Sequence, residues 1–397
     1  MNGRQESSQY PVRPPWGGKP LPQRLRSFWL RVSAGMKPDD MWNQLRSDAQ
    51  TTYRLYSREV DAARPAGESR PKHFIHVMKQ FFWAILEKLT PARRILLLLA
   101  LVLLLLPQAE MIGSPGQHWE FRFEAHLAGG LLMFGLLLLE LTDRVVMKRD
   151  LQIAKEIQAW LLPLRPPKLP GLEIAFATRP ANTVAGDYYD VFPRHGLDGT
   201  AVTGGAESYL IVVADVAGKS VPAAMLMATI QASLRTLSMT PGSLLELVSR
   251  MNRYVCSNSQ NGRRFTTAFL AEYEPVSRVL SYVNAGHNPP VLRHSSGTTE
   301  ELHTGGLPLG VMENANYESG MVTLEPGDML AAFTDGLVEA ENLRSEEYGL
   351  ARFLAVLWAN AAEPADAILR STLVDIDRFV GQAAQHDDVT LMLLKVI

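Results

Sequence analysis

An α+β domain carried behind a transmembrane helical hairpin is the architecture this sequence predicts, and three observations predict it. Two long apolar runs, 95–106 and 125–141, are separated by a short polar stretch, and neither shows an amphipathic period. A cluster of Pro163, Pro166, Pro167 and Pro170 then interrupts the chain. From residue 171 onward, short β-like runs alternate with apolar helical stretches. The composition permits this arrangement: 397 residues with 47% hydrophobic content suffice for two or three domains, and wholesale disorder is excluded. A single cysteine, Cys256, excludes a disulfide-rich secreted scaffold and a cysteine-built zinc site.

The net charge of −2 hides a segregation. Residues 1–94 carry 17 Lys+Arg against 8 Asp+Glu, near +9, which leaves the remainder near −11. Residues 1–26, punctuated by proline and glycine, read as a disordered tail. Residues 27–92 are basic and partly helical: Phe28, Trp29, Met41, Trp42 and Leu45 recur among arginines, as in a small helical subdomain or helices resting on anionic membrane lipid.

The hairpin is placed at 93–143. The run 95–106, extended by 107–113, approaches the length needed to cross a bilayer, and 125–141 has only His126 and Glu140 as polar interruptions. Arg93 and Arg94 precede the first run, and Arg144, Lys148 and Arg149 follow the second. The loop between them holds Glu110, Glu120 and Glu124 against Arg122. Both large ends are therefore expected in the cytoplasm, and the first run lies too deep in the chain for a cleaved secretory signal.

A linker helix is expected over 144–165, because Leu139, Val146, Ile153 and Trp160 recur every seven residues with Ile157 and Leu164 in the complementary position. Such a stripe suits pairing with a second copy of the chain. Asp143 and Asp150 interrupt the seam, which equally suits a lone helix packed on its own domain. The prolines then end the helix. The last domain, 166–397, has strand-like runs at 172–177, 209–214, 266–273, 279–284, 329–333 and 389–396, with helical stretches at 222–237, 244–256, 350–358 and 365–380.

Four acidic motifs fall where strands meet turns in this domain: GDYYD around Asp187 and Asp190, ADVAGK around Asp215, TDG at Asp335, and HDDVT at Asp387 and Asp388. Singly, each is ordinary turn chemistry. Together, carboxylates on strand ends beside glycine suit an oxygen-rich cage for a hard divalent ion, with no thiolate and little imidazole.

Over residues 151–397 the chain resembles the PPM-type protein phosphatases, specifically the bacterial SpoIIE/RsbU branch. The resemblance rests on LQIAKEIQAWLLP, ATRPANTVAGDYYDV, VVADVAGKSVPAAMLMA, RFTTAFLAEYEP, SYVNAGHNPPVL, GLPLGV, LAAFTDGLVEAEN and QHDDVTLMLLKV, in the order of that branch. It implies an α-β-β-α sandwich holding two divalent cations, Mn²⁺ or Mg²⁺. It further implies metal-assisted hydrolysis of phosphoserine or phosphothreonine by an activated water.

Carried over by position, Asp187, Asp215, Asp335 and Asp387 are the implied carboxylate ligands, with the backbone carbonyl of Val216 beside them. Asp215 is the one expected to bridge both ions. Asp190 and Asp388 are candidates for an outer shell or an alternate ligand, and Arg179 and Lys219 for contact with substrate phosphate. The branch also implies a phosphorylated STAS-like (anti-anti-sigma) substrate protein, a switch helix at 144–162, and here a location at the bacterial inner membrane.

The sequence departs from related patterns at three points. Asp215-Val216-Ala217 stands where eukaryotic protein phosphatase 2C has Asp-Gly-His. The branch's Gly-Lys-Gly is Gly218-Lys219-Ser220, and its double glycine is Ala185-Gly186. His287 reads as a structural hydrogen-bonding group and His386 as a group able to orient Asp387. Cys256 reads as a core or boundary residue. A phosphoprotein-binding pseudo-phosphatase scaffold is the alternative function. A two-metal nuclease or cyclase is disfavoured, because the acidic domain lacks a basic, aromatic-interleaved face for nucleic acid.

Overall fold

The computed structural model describes residues 86–106, 125–194, 207–258 and 264–397, with four further positions between 79 and 83. The expected tail, most of the basic region and the loop joining the two apolar runs lie outside the described residues. The chain divides into two compact units, Met1–Glu140 and Leu141–Ile397.

In the first unit, helix α1 (Pro91–Leu105) starts on Pro91, whose missing N–H costs nothing in a first helical turn. Its 15 residues rise about 22 Å, short of the ~30 Å hydrocarbon layer. Helix α2 (Ala125–Leu161) has 37 residues and is long and apolar enough to cross a membrane. Among the described residues, α2 is the one helix with that length and composition. Gly129 lets the two helices approach closely, since a Cβ there would lie 2.9 Å from the Leu104 side chain and 3.0 Å from the Ala100 carbonyl. Arg93 pairs with Glu140 at 3.5 Å. The second apolar run and the expected linker helix thus form one continuous helix ending at Leu161.

The second unit is an α-β-β-α sandwich. One sheet has the order β1-β11-β10-β6-β7, formed by β1 (Leu172–Arg179), β11 (Val389–Val396), β10 (Met329–Phe333), β6 (Val291–Arg293) and β7 (Thr299–Glu301). The other runs β2-β3-β4-β5-β8, formed by β2 (Tyr188–Pro193), β3 (Tyr209–Val216), β4 (Thr266–Glu274), β5 (Val279–Ala285) and β8 (Gly305–Gly306), with β9 (Gly320–Thr323) pairing β5. Helices α3 (Val221–Ser238) and α4 (Leu244–Asn258) cover the second sheet. The first is covered by α6 (Leu350–Ala359) and α7 (Ala365–Val380), and a one-turn helix, α5 (Asp335–Val338), follows β10.

Strand alternation sorts the core into three layers. On β3, Leu210, Val212, Ala214 and Val216 pack under α3 and α4, while Ile211 and Val213 face the other sheet. On β11, Val389, Leu391 and Leu393 face α6 and α7, and Met392, Leu394 and Val396 face the sheet interface. Parity then carries Asp215 on β3 and Thr390 on β11 to the interface side, at one edge of the sandwich.

Candidate metal centre

Asp187 precedes β2, Asp215 lies near the end of β3, Asp335 opens α5, and Asp387 and Asp388 lead into β11. The two sheets bring these loop ends together. Asp187 is 2% exposed, and its Oδ2 accepts hydrogen bonds from Thr334 Oγ1 at 2.9 Å and Thr390 Oγ1 at 2.5 Å. Thr178 Oγ1 lies 2.8 Å from the Thr390 hydroxyl, so donation runs from Thr178 to Thr390 to Asp187. Thr334 occupies the position before α5 where a side chain ordinarily caps the helix, but makes no cap bond; its hydroxyl is committed to Asp187. These three threonines escape a reading of the sequence that looks only for charged ligands, although Thr334 and Thr390 stand inside the TDG and DDVT motifs.

The carboxylates influence one another strongly. Burial first, then Asp215 and Asp388, push the Asp187 carboxyl well above the usual carboxylate range despite the two threonine donors. Asp215 is pushed up to about 7 by burial and by Asp335, Asp387 and Asp388. Asp335 is raised by burial and by Asp387. An oxygen-only set of carboxylates that resist simultaneous ionisation matches the demands of a hard divalent cation, whose charge removes the repulsion. Among the described residues, no three of these side chains already surround a single point as a finished cage. Two close approaches complete the edge. A Cβ on Gly186 would come within 3.1 Å of the Val216 carbonyl oxygen, and one on Gly336 within 2.2 Å of the Asp388 carbonyl oxygen.

Asp387 and Asp388 separate in role. Asp388 uses Oδ1 to accept from the Ala181 N–H at 2.7 Å and Oδ2 to accept from the Gly186 N–H at 2.6 Å, tying down the loop that precedes Asp187. Asp387 is more open, with its Oδ2 paired to Lys219 Nζ at 3.0 Å. Lys219 also donates to the His386 carbonyl at 2.6 Å, and Gln385 Nε2 bridges the carbonyls of Arg179 and Asp387 at 2.7 and 2.8 Å. The Arg179 guanidinium is engaged by Asp377.

The expectation for Asp190 is corrected. Three residues after Asp187, its side chain points to the opposite face of β2, where it is fully buried. It accepts from Tyr188 Oη at 2.9 Å and pairs with Arg235 of α3 at 2.8 Å. That is a structural ion pair under the helices, away from the carboxylate cluster. His287 is buried, with Nδ1 3.2 Å from Thr267 Oγ1, and burial lowers its pKa to about 4, so the ring is neutral at physiological pH.

Another residue without a charge also touches this edge. Gln158, buried near the end of α2, donates through Nε2 to the Ala185 carbonyl at 2.7 Å and accepts through Oε1 from the Ala185 N–H at 2.9 Å. Leu162, just beyond the helix, packs against two of the three cores. The helix is thereby fastened two residues ahead of Asp187.

Ser220, where the branch has glycine, adopts φ 67° and ψ −151°, a region essentially reserved for glycine. Ser220→Gly is therefore expected to stabilise the fold by about 1 kcal/mol or more, read as a higher denaturant midpoint at unchanged slope.

The sequence profile of the stage II sporulation protein E (SpoIIE) family matches residues 205–397. Protein IcfG of Synechocystis sp. is 28% identical over 276 residues, covering 62% of this chain and 41% of its own. Phosphoserine phosphatase RsbU of Bacillus subtilis is 29% identical over 251 residues, covering 62% of this chain and 70% of its own. Among solved structures, the SiaA-PP2C domain of Pseudomonas aeruginosa superposes with a TM-score of 0.55 at 20% identity, covering 64% of this chain and 99% of that domain. The chain thus spans about two fifths of the length of IcfG while matching the whole solved domain. The profile match, the two-sheet sandwich and the carboxylates gathered at its edge agree: the C-terminal part of the chain has the PPM-type (PP2C-like) phosphatase fold, and residues 205–397 of it match the SpoIIE family.

Proposed function

We propose that this domain hydrolyses phosphoserine and phosphothreonine on a protein substrate, using two divalent cations, Mn²⁺ or Mg²⁺. The observation that carries the reading is the convergence of Asp187, Asp215, Asp335 and Asp387 on one edge, with three of the four carboxyls raised by burial and mutual repulsion. Bound there, the ions supply an activated water and charge neutralisation at phosphorus. Asp187, Asp215, Asp335, Asp387 and the Val216 carbonyl would hold them. Asp388 acts through the loop backbone instead, because both of its oxygens accept from N–H groups. Thr334 and Thr390 fix the orientation of the Asp187 carboxylate. Lys219, with its side chain half exposed beside Asp387, is placed to meet a phosphoryl oxygen. The test is release of inorganic phosphate from a phosphoserine peptide by the full-length protein with Mn²⁺, and its loss with chelator. A protein that binds the peptide without releasing phosphate would instead be a scaffold.

The substrate proposed is a phosphorylated STAS-like regulator, supported by the likeness to RsbU. The site of action is the cytoplasmic face of the bacterial inner membrane, supported by the length and composition of α2 and the basic flanks of the apolar runs. Homodimerisation through α2 is supported by Val146, Ile153 and Trp160, which keep their seven-residue spacing and are exposed. A change in α2 reaches the site through Gln158. Gln158→Ala is expected to weaken Mn²⁺ binding about tenfold by calorimetry, with the circular dichroism spectrum unchanged. Unaltered affinity would detach the helix from the site.

A further inference from the structure

His287 is 5% exposed and reaches both sheets where they carry the carboxylates. On one side its Nδ1 meets the Thr267 hydroxyl of β4 at 3.2 Å. Thr267 is paired directly opposite Asp215 in the antiparallel register of β3 and β4, and the same hydroxyl lies 3.5 Å from the Asp215 carbonyl oxygen. On the other side the ring meets the backbone of Phe333, the last residue of β10. Phe333 is followed by Thr334, which donates to Asp187, and then by Asp335. One imidazole thus joins the strand pair that presents Asp215 to the strand that presents Asp335.

Two further observations show that the ring is held there against its own cost. Its Nε2 is buried without a hydrogen bond of normal geometry, and burial keeps the ring neutral. A polar group paired so incompletely in a core is destabilising, and such conflicts gather where function requires them. The turn that carries the ring is also built around it. Asn284 Oδ1 accepts from the His287 N–H at 2.7 Å, and Asn284 Nδ2 donates to the Leu302 carbonyl at 3.1 Å. Gly286 between them adopts φ 67°, and a Cβ there would lie 2.5 Å from the Pro308 side chain.

We propose that His287 is a positioning residue of the metal centre, a neutral imidazole that fixes the spacing of Asp215 and Asp335 across the two sheets through Thr267 and the Phe333 backbone. This role rests on the phosphatase reading above and adds a residue to that same site. Ligands carried by two separate sheets move apart if the sheets slide, and a cation reads that displacement as lost affinity. A tie placed beside both strand ends opposes the sliding where it matters.

The test compares full-length wild type with Thr267→Val, His287→Leu and His287→Asn in lipid nanodiscs. Mn²⁺ binding is measured by calorimetry, hydrolysis of a phosphoserine peptide at about pH 6 and about pH 8, and melting temperature in chelator. Val keeps the shape of Thr267 without its hydroxyl, and Asn returns a polar group near the place of Nδ1. Thr267→Val and His287→Leu are expected to weaken Mn²⁺ binding about tenfold and to lower kcat about 30-fold, with KM for the peptide unchanged. His287→Asn should recover most of the affinity, and the loss in kcat should be equal at both pH values.

Wild-type Mn²⁺ affinity in Thr267→Val would overturn the proposal and leave the phosphatase reading intact, whether or not His287→Leu folds. A lower melting temperature with affinity and kcat unchanged would do the same, by reducing His287 to a core residue. A loss in kcat confined to one pH would make the ring an acid or base and also overturn the proposal. Weakened Mn²⁺ binding in the variants, with no phosphate released even by the wild type, would keep the positioning role and remove the phosphatase reading.

Discussion

Asp215→Asn is expected to abolish Mn²⁺-dependent phosphate release while raising the melting temperature of the chelator-treated protein. Asn keeps the size of the side chain and removes its charge. Asp215 sits near the end of β3, facing the sheet interface, with Asp335, Asp387 and Asp388 around it and its own carboxyl pushed up to about 7. A carboxyl raised in the folded state disfavours folding progressively as pH climbs from its unfolded value, about 4, through its folded value, about 7, so removing it relieves the fold at pH 8. The same group is among those proposed to hold the cations, and its loss should lower turnover by about three orders of magnitude, on the scale of an essential electrostatic contribution. Function and stability therefore move in opposite directions at this position. Residual turnover within about tenfold of wild type would remove Asp215 from the metal centre. Asp190→Ala supplies the contrast: it strands the Tyr188 hydroxyl and Arg235, costs about 2 kcal/mol, and leaves the stabilising response to Mn²⁺ in place.

Much of this organisation is legible in the sequence, for reasons that also explain the omissions. The runs 329–333 and 389–396 coincide with β10 and β11, because strands buried on both faces are continuous in apolar residues. The helix expected over 365–380 coincides with α7, whose apolar positions keep helical spacing. By contrast, β6 to β9 have only two to four residues each, too few to show a period, and Thr299–Glu301 is a fully exposed edge.

The acidic motifs lead to the right edge of the sandwich because metal chemistry demands carboxylates on loop ends. Asp190 is the exception, and its parity is legible: on β2 it shares the face of Tyr188 and Phe192, which packs under the helices. The contributions of Asp388 and Gln158 were not available in that way. Asp388 acts on a backbone N–H 202 residues earlier in the chain, and Gln158 on a peptide 27 residues later. Uncharged amides and backbone partners leave no pattern in a single sequence.

The affinity for Mn²⁺ is expected to rise steeply with pH and to become less steep above about 7, where Asp215 ionises. Protons and divalent cations compete for the same oxygens, and binding a hard cation requires the carboxylates to be ionised. With Asp215 raised to about 7, and Asp187 and Asp335 raised by burial and by their neighbours, the cluster retains protons over a range where free aspartates have lost them. While one such proton must be displaced, the apparent affinity increases about tenfold per pH unit. The slope lessens once Asp215 ionises on its own, near pH 7.

Stability follows the opposite sign without the cation. Groups raised in the folded state contribute most below the unfolded carboxylate range, and that contribution is lost as pH climbs from about 4 through about 7. The chelated protein should therefore lose thermal stability across that window, while Mn²⁺ restores progressively more of it. The increment in melting temperature on adding Mn²⁺ should be small at about pH 5 and largest at about pH 8. An increment independent of pH would mean that the ion binds elsewhere than among these carboxylates. An increment that persists in Asp215→Asn with its pH dependence flattened would instead assign the titrating proton to Asp215 and the remaining affinity to Asp187, Asp335 and Asp387.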